Sequence, residues 1–240
     1  MTNRFAEFGE TRGVALSRTQ QVVAKRMLHN WMTIPHVTHN DECDITRLED
    51  SRQSLPPERK VTLLIFIIKA VGDALRAFPQ FNASLSEDSR ELILKDYINI
   101  GVAVDTPRGL VLPVLRDCDK KSLVELRDEL SALSGKARGT GIPYEQTVGG
   151  SFTISSLGGI GGTGFSPIIN APEVAILGVS QARIKPVWDS GAFQPRMMLP
   201  LSISYDHRVI NGADAAKFTC FVAGRLESGM SGSQPEIRGL

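Results

Sequence analysis

Apolar positions along the chain follow two periods. Val23, Met27 and Trp31 recur every four residues behind Ser17-Arg18-Thr19-Gln20, a capping box, and Ile34-Pro35 ends the pattern. This predicts an N-terminal helix with one apolar stripe. Thr62 to Phe78 is apolar on nearly all sides, stops before Pro79 and predicts the central core helix. Ser122-Leu123-Val124-Glu125 caps a third long helix running towards Arg138, closed by Gly139, Gly141 and Pro143. Thr46-Arg47-Leu48-Glu49 offers a further capping box for a short helix before Pro56-Pro57, and Ala213 to Val222 reads as the last helix. Period-two alternation or short apolar runs predict strands at Val37 to Ile45, Leu92 to Leu94, Tyr97 to Val104 and Leu110 to Leu115. Others follow at Phe152 to Ser155, Val174 to Val179, Ile184 to Val187 and Met197 to Tyr205. Asp105-Thr106-Pro107-Arg108-Gly109 is a turn. Helices and strands mix without regular alternation and without an internal repeat, so the expected class is α+β: a mixed β-sheet sandwich covered by helices, not a doubly wound fold.

With 240 residues, 42% of them hydrophobic, one domain is the simplest organisation. It is expected over residues 15–227, with a flexible segment at 1–14 and a polar tail at 228–240. A net charge of +1 gives no electrostatic basis for binding nucleic acid or an anionic membrane surface. The longest apolar run, Leu63 to Ile68, falls far short of the ~20 residues of a membrane span. Met1 to Gly13 carries no apolar core of a signal peptide, so the expected location is the cytoplasm, or the mitochondrial matrix if the source is eukaryotic. Cys43, Cys118 and Cys220 are far apart, odd in number and free of any Cys-x-x-Cys pair, which predicts reduced thiols.

The chemistry concentrates in Ser204-Tyr205-Asp206-His207-Arg208-Val209-Ile210-Asn211-Gly212, where His207 falls between a strand and a helix. A histidine there is either a core residue or an aimed, reachable base. Ser155 closes another strand and is either a hydroxyl bonded to backbone or a donor to a ligand. The glycines of Leu157-Gly158-Gly159-Ile160-Gly161-Gly162-Thr163-Gly164 permit positive φ and close backbone approach, but the Gly-Lys-Ser/Thr ending of a P-loop is missing. His36 and His39, three apart on a strand, point to opposite faces, so no metal site is expected. His29 has no ligand partner at suitable spacing and defaults to a surface or interhelical role.

Asp206-His207-Arg208-Val209-Ile210-Asn211-Gly212-Ala213, with Phe152 to Gly159 upstream and Ala171-Pro172-Glu173-Val174-Ala175-Ile176-Leu177-Gly178-Val179 between, resembles the catalytic domain of dihydrolipoyl acyltransferases, core subunits of 2-oxo acid dehydrogenase complexes. The resemblance runs from about Leu16 to Arg225 and includes Ile34 to Thr38, Asn99 to Pro107 and Leu110 to Val114. Thr153-Ile154-Ser155-Ser156-Leu157-Gly158 is most similar to the acetyl-transferring branch, that of pyruvate dehydrogenase complexes. The resemblance implies a chloramphenicol acetyltransferase-like fold and acetyl transfer between the thiols of dihydrolipoamide and CoA. It makes His207 the base, Ser155 the donor to the oxyanion and Asn211 an orienting residue where the commoner pattern has Asp, with Asp206 structural. It places Gly158 and Gly159 beside the pantetheine channel and Arg52 near the CoA 3′-phosphate, although a solvated helix-end arginine is an equal reading of Arg52. The substrates implied are CoA and a lipoamide carried on a separate lipoyl domain, with no metal.

Family members form trimers with each site shared between two chains, the histidine from one and the serine from its neighbour. In many relatives eight trimers form a 24-subunit cube through an apolar C-terminus, which the polar run from Ser228 to Leu240 does not resemble. Lipoyl domains and a segment binding the dehydrogenase components are not among these 240 residues, so lipoyl groups are expected on a removed segment or another chain. Two alternatives stand beside this reading. An O-acetyltransferase of the chloramphenicol type would show two adjacent histidines where this chain has Asp206-His207, and a noncatalytic scaffold would lack the histidine.

Overall fold

In the computed structural model, residues 4–107 and 109–229 are described. The Ser17 hydroxyl accepts from Gln20 N at 3.2 Å while the Gln20 side chain takes Ser17 N–H, and helix α1 runs over Arg18–Thr33. Only Asn30 is buried along it; of the predicted apolar stripe Val23 and Trp31 stay exposed, the Trp31 ring lying 5.3 Å from that of His36. Strand β1 (His36–Asp44) follows, then α2 (Thr46–Gln53). The capping box expected at Thr46 does not form. Thr46 lies inside the helix, where its hydroxyl donates to Asp44 and accepts from Met197 N, and Asp44 Oδ1 takes the Thr46 N–H at 2.9 Å. The apolar helix α3 (Leu63–Ala77) crosses the core. Among the described residues, short strands β2 (Ala83–Leu85) and β3 (Leu92–Leu94) pair only with each other.

Strands β4 (Ile100–Val102) and β5 (Val114–Leu115) are shorter than the alternation suggests. Asn99 spends its side chain on Gly149 O and Asp117 N, and the adjoining chain continues only as the bridge between Val104 and Val111. Helix α4 (Leu123–Arg138) has the capping box at Ser122 and Glu125. Then come β6 (Phe152–Ser156), β7 (Ala175–Val179), β8 (Arg183–Asp189), β9 (Ala192–Asp206) and α5 (Gly212–Glu227). Strand β9 starts five residues earlier than predicted because its first part is the return arm of a hairpin with β8. Ser190 and Gly191, at φ 51° and 94°, make the two-residue turn. Polar Gln194 and Arg196 hid that extension from the hydrophobic pattern.

Six strands lie in the order β1-β9-β7-β6-β4-β5, and β8 adds to β9 as the seventh. The pairs β4–β6 and β6–β7 are parallel and the others antiparallel, a mixed sheet. One face carries Ile154, Leu177, Leu201, Ile203 and Tyr205 against α3 and α5, where Phe81 stacks on Phe218 at 4.3 Å. The opposite face is polar. Register places Ser155, Gly178, Ser202 and Asn40 in one row across it, with Thr153, Ile176, Ser204 and Thr38 in the next. Residues 164–171 cross this face on the way from β6 to β7. Phe165 lies so close to Gly178 that a Cβ there would come within 2.7 Å of its ring, and this close approach requires glycine.

Candidate active site

His207 sits one residue past the end of β9. Its N–H donates to Pro35 O at 3.0 Å, and the Val209 and Ile210 N–H groups both donate to Asp206 O, so the turn is tied on both sides. The Asp206 carboxylate is buried and accepts from Arg208 N, Nε and Nη2, which makes it the anchor of the turn. The His207 side chain itself is exposed, with its ring 5.7 Å from that of Tyr205, and neither ring nitrogen bonds a described residue. Asn211 N-caps α5, its Oδ1 accepting from Asp214 N at 2.9 Å. This leaves the Nδ2 donors for other partners.

Ser155 stands on the polar face near the end of β6, half-buried, with its hydroxyl uncommitted to any described residue. It pairs with Gly178, which pairs with Ser202, so His207 lies two strands across and five residues further along. That offset is roughly 10 Å across the sheet and roughly 17 Å along it. The serine and the histidine of one chain therefore do not meet.

Within the glycine run only Gly161 and Gly162 adopt positive φ, at 150° and 90°. Gly158 and Gly159 do not, and a Cβ on Gly159 would meet nothing within 4 Å. Arg52 is engaged: its Nε and Nη2 grip the Glu49 carboxylate and its Nη1 reaches Val61 O at 3.3 Å. This pairing holds the Glu49 carboxyl below the usual carboxylate range. His36 has its Nδ1 against Ile34 O at 2.8 Å and accepts from Ile169 N at its Nε2, a role in fixing the covering segment. Among the described residues no group of three or more His, Cys, Asp or Glu is arranged to hold a metal ion. Among them, too, no helix is long and apolar enough to cross a membrane.

Residues 8–231 match the family described as 2-oxoacid dehydrogenases acyltransferase (catalytic domain). The chain belongs to that family. A dihydrolipoyllysine-residue acetyltransferase component of the pyruvate dehydrogenase complex from Haemophilus influenzae is 52% identical over 229 residues, 92% of this chain and 40% of the relative. The corresponding component of Pseudomonas aeruginosa is 53% identical over 90% of this chain and 40% of its own length. The chain thus spans about two fifths of these relatives. The solved dihydrolipoamide acetyltransferase of Azotobacter vinelandii superposes with a TM-score of 0.91 at 48% identity, covering 93% of this chain and 94% of that one. A serine, a histidine and an asparagine have been investigated there for their role in the catalytic mechanism. They are 52 and four residues apart, the separations of Ser155, His207 and Asn211 here. The cubic core of a pyruvate dehydrogenase multienzyme complex also superposes at 0.91, with 49% identity over 93% of this chain and 94% of that one. Chloramphenicol acetyltransferase, 14% identical with a TM-score of 0.58, shares the fold.

One ionisable group of this acyltransferase domain escaped the sequence reading. Glu173 is buried at 4% exposure, accepts from the Thr153 hydroxyl at 2.6 Å and from Asn170 Nδ2 at 3.3 Å. Burial pushes its carboxyl up to about 7, opposed by those bonds and by the charges of Lys95 and Arg26. Its ordinary value is 4.5, so between about 4.5 and 7 the folded chain holds a proton that the unfolded chain releases. Stability supplied by this group is complete at low pH and lost as pH rises through that window, by roughly 3 kcal/mol in all. Denaturant titrations from pH 4.5 to 8 are expected to show that fall, and Glu173→Gln is expected to flatten it. An unchanged slope in the variant would assign the titration elsewhere.

Proposed function

We propose that this chain is the catalytic core of a dihydrolipoyllysine-residue acetyltransferase, exchanging an acetyl group between the thiols of dihydrolipoamide and CoA within a pyruvate dehydrogenase-type complex. The observation that carries the proposal is the shared spacing of serine, histidine and asparagine with the Azotobacter vinelandii enzyme, on the same fold.

The residues suit the chemistry. A thiol is mostly protonated at neutral pH, and His207, exposed and with both ring nitrogens uncommitted, takes that proton as the sulfur attacks the thioester carbonyl carbon. The carbonyl π electrons move onto oxygen, and the Ser155 hydroxyl donates to the resulting oxyanion. Collapse of the tetrahedral intermediate expels the other sulfur, which recovers the proton from His207. Asn211 orients this end of the site through its free amide donors. Gly158 and Gly159 border the path of the pantetheine arm. Arg52 serves the 3′-phosphate with the N–H groups that Glu49 and Val61 leave over, so the anion and Glu49 would share one guanidinium.

A single chain holds Ser155 and His207 too far apart for this reaction, which favours a trimer in which each site takes one residue from each of two chains. Exposed Val22, Leu28, Trp31 and Met32 on α1 suit burial in such an assembly. The likeness to a cubic core favours a 24-subunit cube of these trimers, with lipoyl domains and dehydrogenase components as partners. No nucleic-acid or membrane partner is proposed, and the compartment is the cytoplasm. The polar stretch weighed against the cube, apart from Ser228 and Gly229, lies outside the described residues.

The test is a transfer assay with acetyl-CoA or succinyl-CoA as donor and dihydrolipoamide as acceptor. Transfer from acetyl-CoA with a kcat/KM at least tenfold above that for succinyl-CoA is expected. A preference for succinyl-CoA would overturn the acetyl assignment, and no transfer from either would favour a scaffold role.

A further inference from the structure

Two polar side chains, Thr153 on β6 and Asn170 on the covering segment, converge on one residue that thioester exchange does not otherwise use. Glu173 ends the crossing from β6 to β7, and its carboxylate reaches β6 through the Thr153 hydroxyl at 2.6 Å. Thr153 lies two residues before Ser155 and on the same face of the sheet. The residue after Glu173 faces the other way along the molecule: Val174 O accepts from Asp206 N at 2.8 Å, next to His207. One short segment is therefore bonded to the strand that carries the serine and to the turn that carries the histidine. Space around the carboxyl is tight. A Cβ on Gly150 would lie 3.1 Å from Glu173 Oε1, and one on Gly101 would lie 3.3 Å from Thr153 Oγ1, so both neighbours are glycines.

A buried carboxyl is costly, and an apolar residue at position 173 would avoid that cost. A polar group held here in full contact with β6 is explained by what it fixes. We propose that Glu173 is a positioning residue for the transfer reaction, a brace that sets the Ser155 strand and the His207 turn in one rigid relation. The inference rests on the function proposed above. Because the serine and the histidine of one chain serve two different sites, the brace adds a side-chain link between neighbouring sites of the assembly to the β6–β7–β9 ladder. Both protonation states of the carboxyl keep a bond to Thr153, the ionised one as acceptor and the neutral one as donor or acceptor. Lys95, beyond β3, and Arg26, on α1, are the cations facing it, and both favour the ionised form.

The experiment compares Thr153→Val, Thr153→Ser and Glu173→Gln with the wild type in the full chain, by steady-state kinetics and by hydrogen exchange. Thr153→Val is expected to lower kcat roughly 10- to 100-fold, the scale of a misplacement near 1 Å, with KM for CoA and dihydrolipoamide changed less than twofold. Thr153→Ser and Glu173→Gln keep a hydrogen bond and are expected to retain most of kcat. Amide exchange at residues 155 and 207 is expected to quicken at least tenfold in Thr153→Val alone. Wild-type kcat in Thr153→Val, or an equal loss in Thr153→Ser, would overturn the brace. So would unchanged exchange at both residues, and this readout holds even if the wild type shows no transfer, an outcome that would defeat the proposed function instead. If Thr153→Val fails to fold, Asn170→Ala removes the other tether of the carboxyl, and wild-type kcat and exchange in that variant would overturn the proposal.

Discussion

His207→Ala is expected to lower acetyl transfer roughly 10²–10⁴-fold, the contribution of a positioned general base. The loss belongs in kcat and kcat/KM together, because proton removal from the thiol is felt in the transition state more than in binding. The fold should not change. The ring is exposed and bonds no described residue, and the turn is held by the backbone of His207 and by the Asp206–Arg208 pair, all of which alanine leaves in place. Circular dichroism and melting temperature indistinguishable from the wild type, with the rate lost, are the expected pair of results. A variant with undiminished rate would remove His207 from the mechanism.

Ser155→Ala is expected to cost roughly 10²–10³-fold in kcat, the loss seen when one oxyanion donor is removed. Here too stability is expected to hold, since the hydroxyl has no partner among the described residues. Removing an unpaired polar group costs the folded state little. A drop in melting temperature with normal kcat would instead make Ser155 a structural strand-end hydroxyl, the reading that stood beside the catalytic one in the sequence.

The parts of the fold legible in the sequence are those set by near neighbours. Ser17 with Gln20 and Ser122 with Glu125 close their capping boxes because both partners lie within one helical turn. Thr46 has the same local pattern and fails, since Met197, distant in sequence, takes its hydroxyl and Asp44 takes its N–H. Ser202-Ile203-Ser204 alternates polar and apolar residues, yet both serines are buried, Ser202 accepting from Phe165 N of the crossing segment. Alternation reports which residues share a face and not what covers it. Glu173 was hidden for the same reason, because a glutamate at the start of a strand carries no local sign of burial. For Arg52 a signal was present: Glu49, three residues earlier on a helix, is at pairing distance by geometry alone. The site residues were reached through the spacing and flanks of His207 and Ser155, and their separation across the sheet was visible only in three dimensions.

The central claim is that each active site takes its serine from one chain and its histidine from another. Mixing denatured Ser155→Ala and His207→Ala chains and refolding them together tests it directly. Neither variant alone should exceed its residual rate. Mixed assemblies, in which the intact Ser155 of one chain meets the intact His207 of the other, are expected to recover roughly a quarter of wild-type activity, the share set by random pairing of equal amounts, provided transition-state contacts are otherwise unchanged. Activity in the mixture equal to the mean of the two variants would contradict the shared site and place both residues in one chain's own centre.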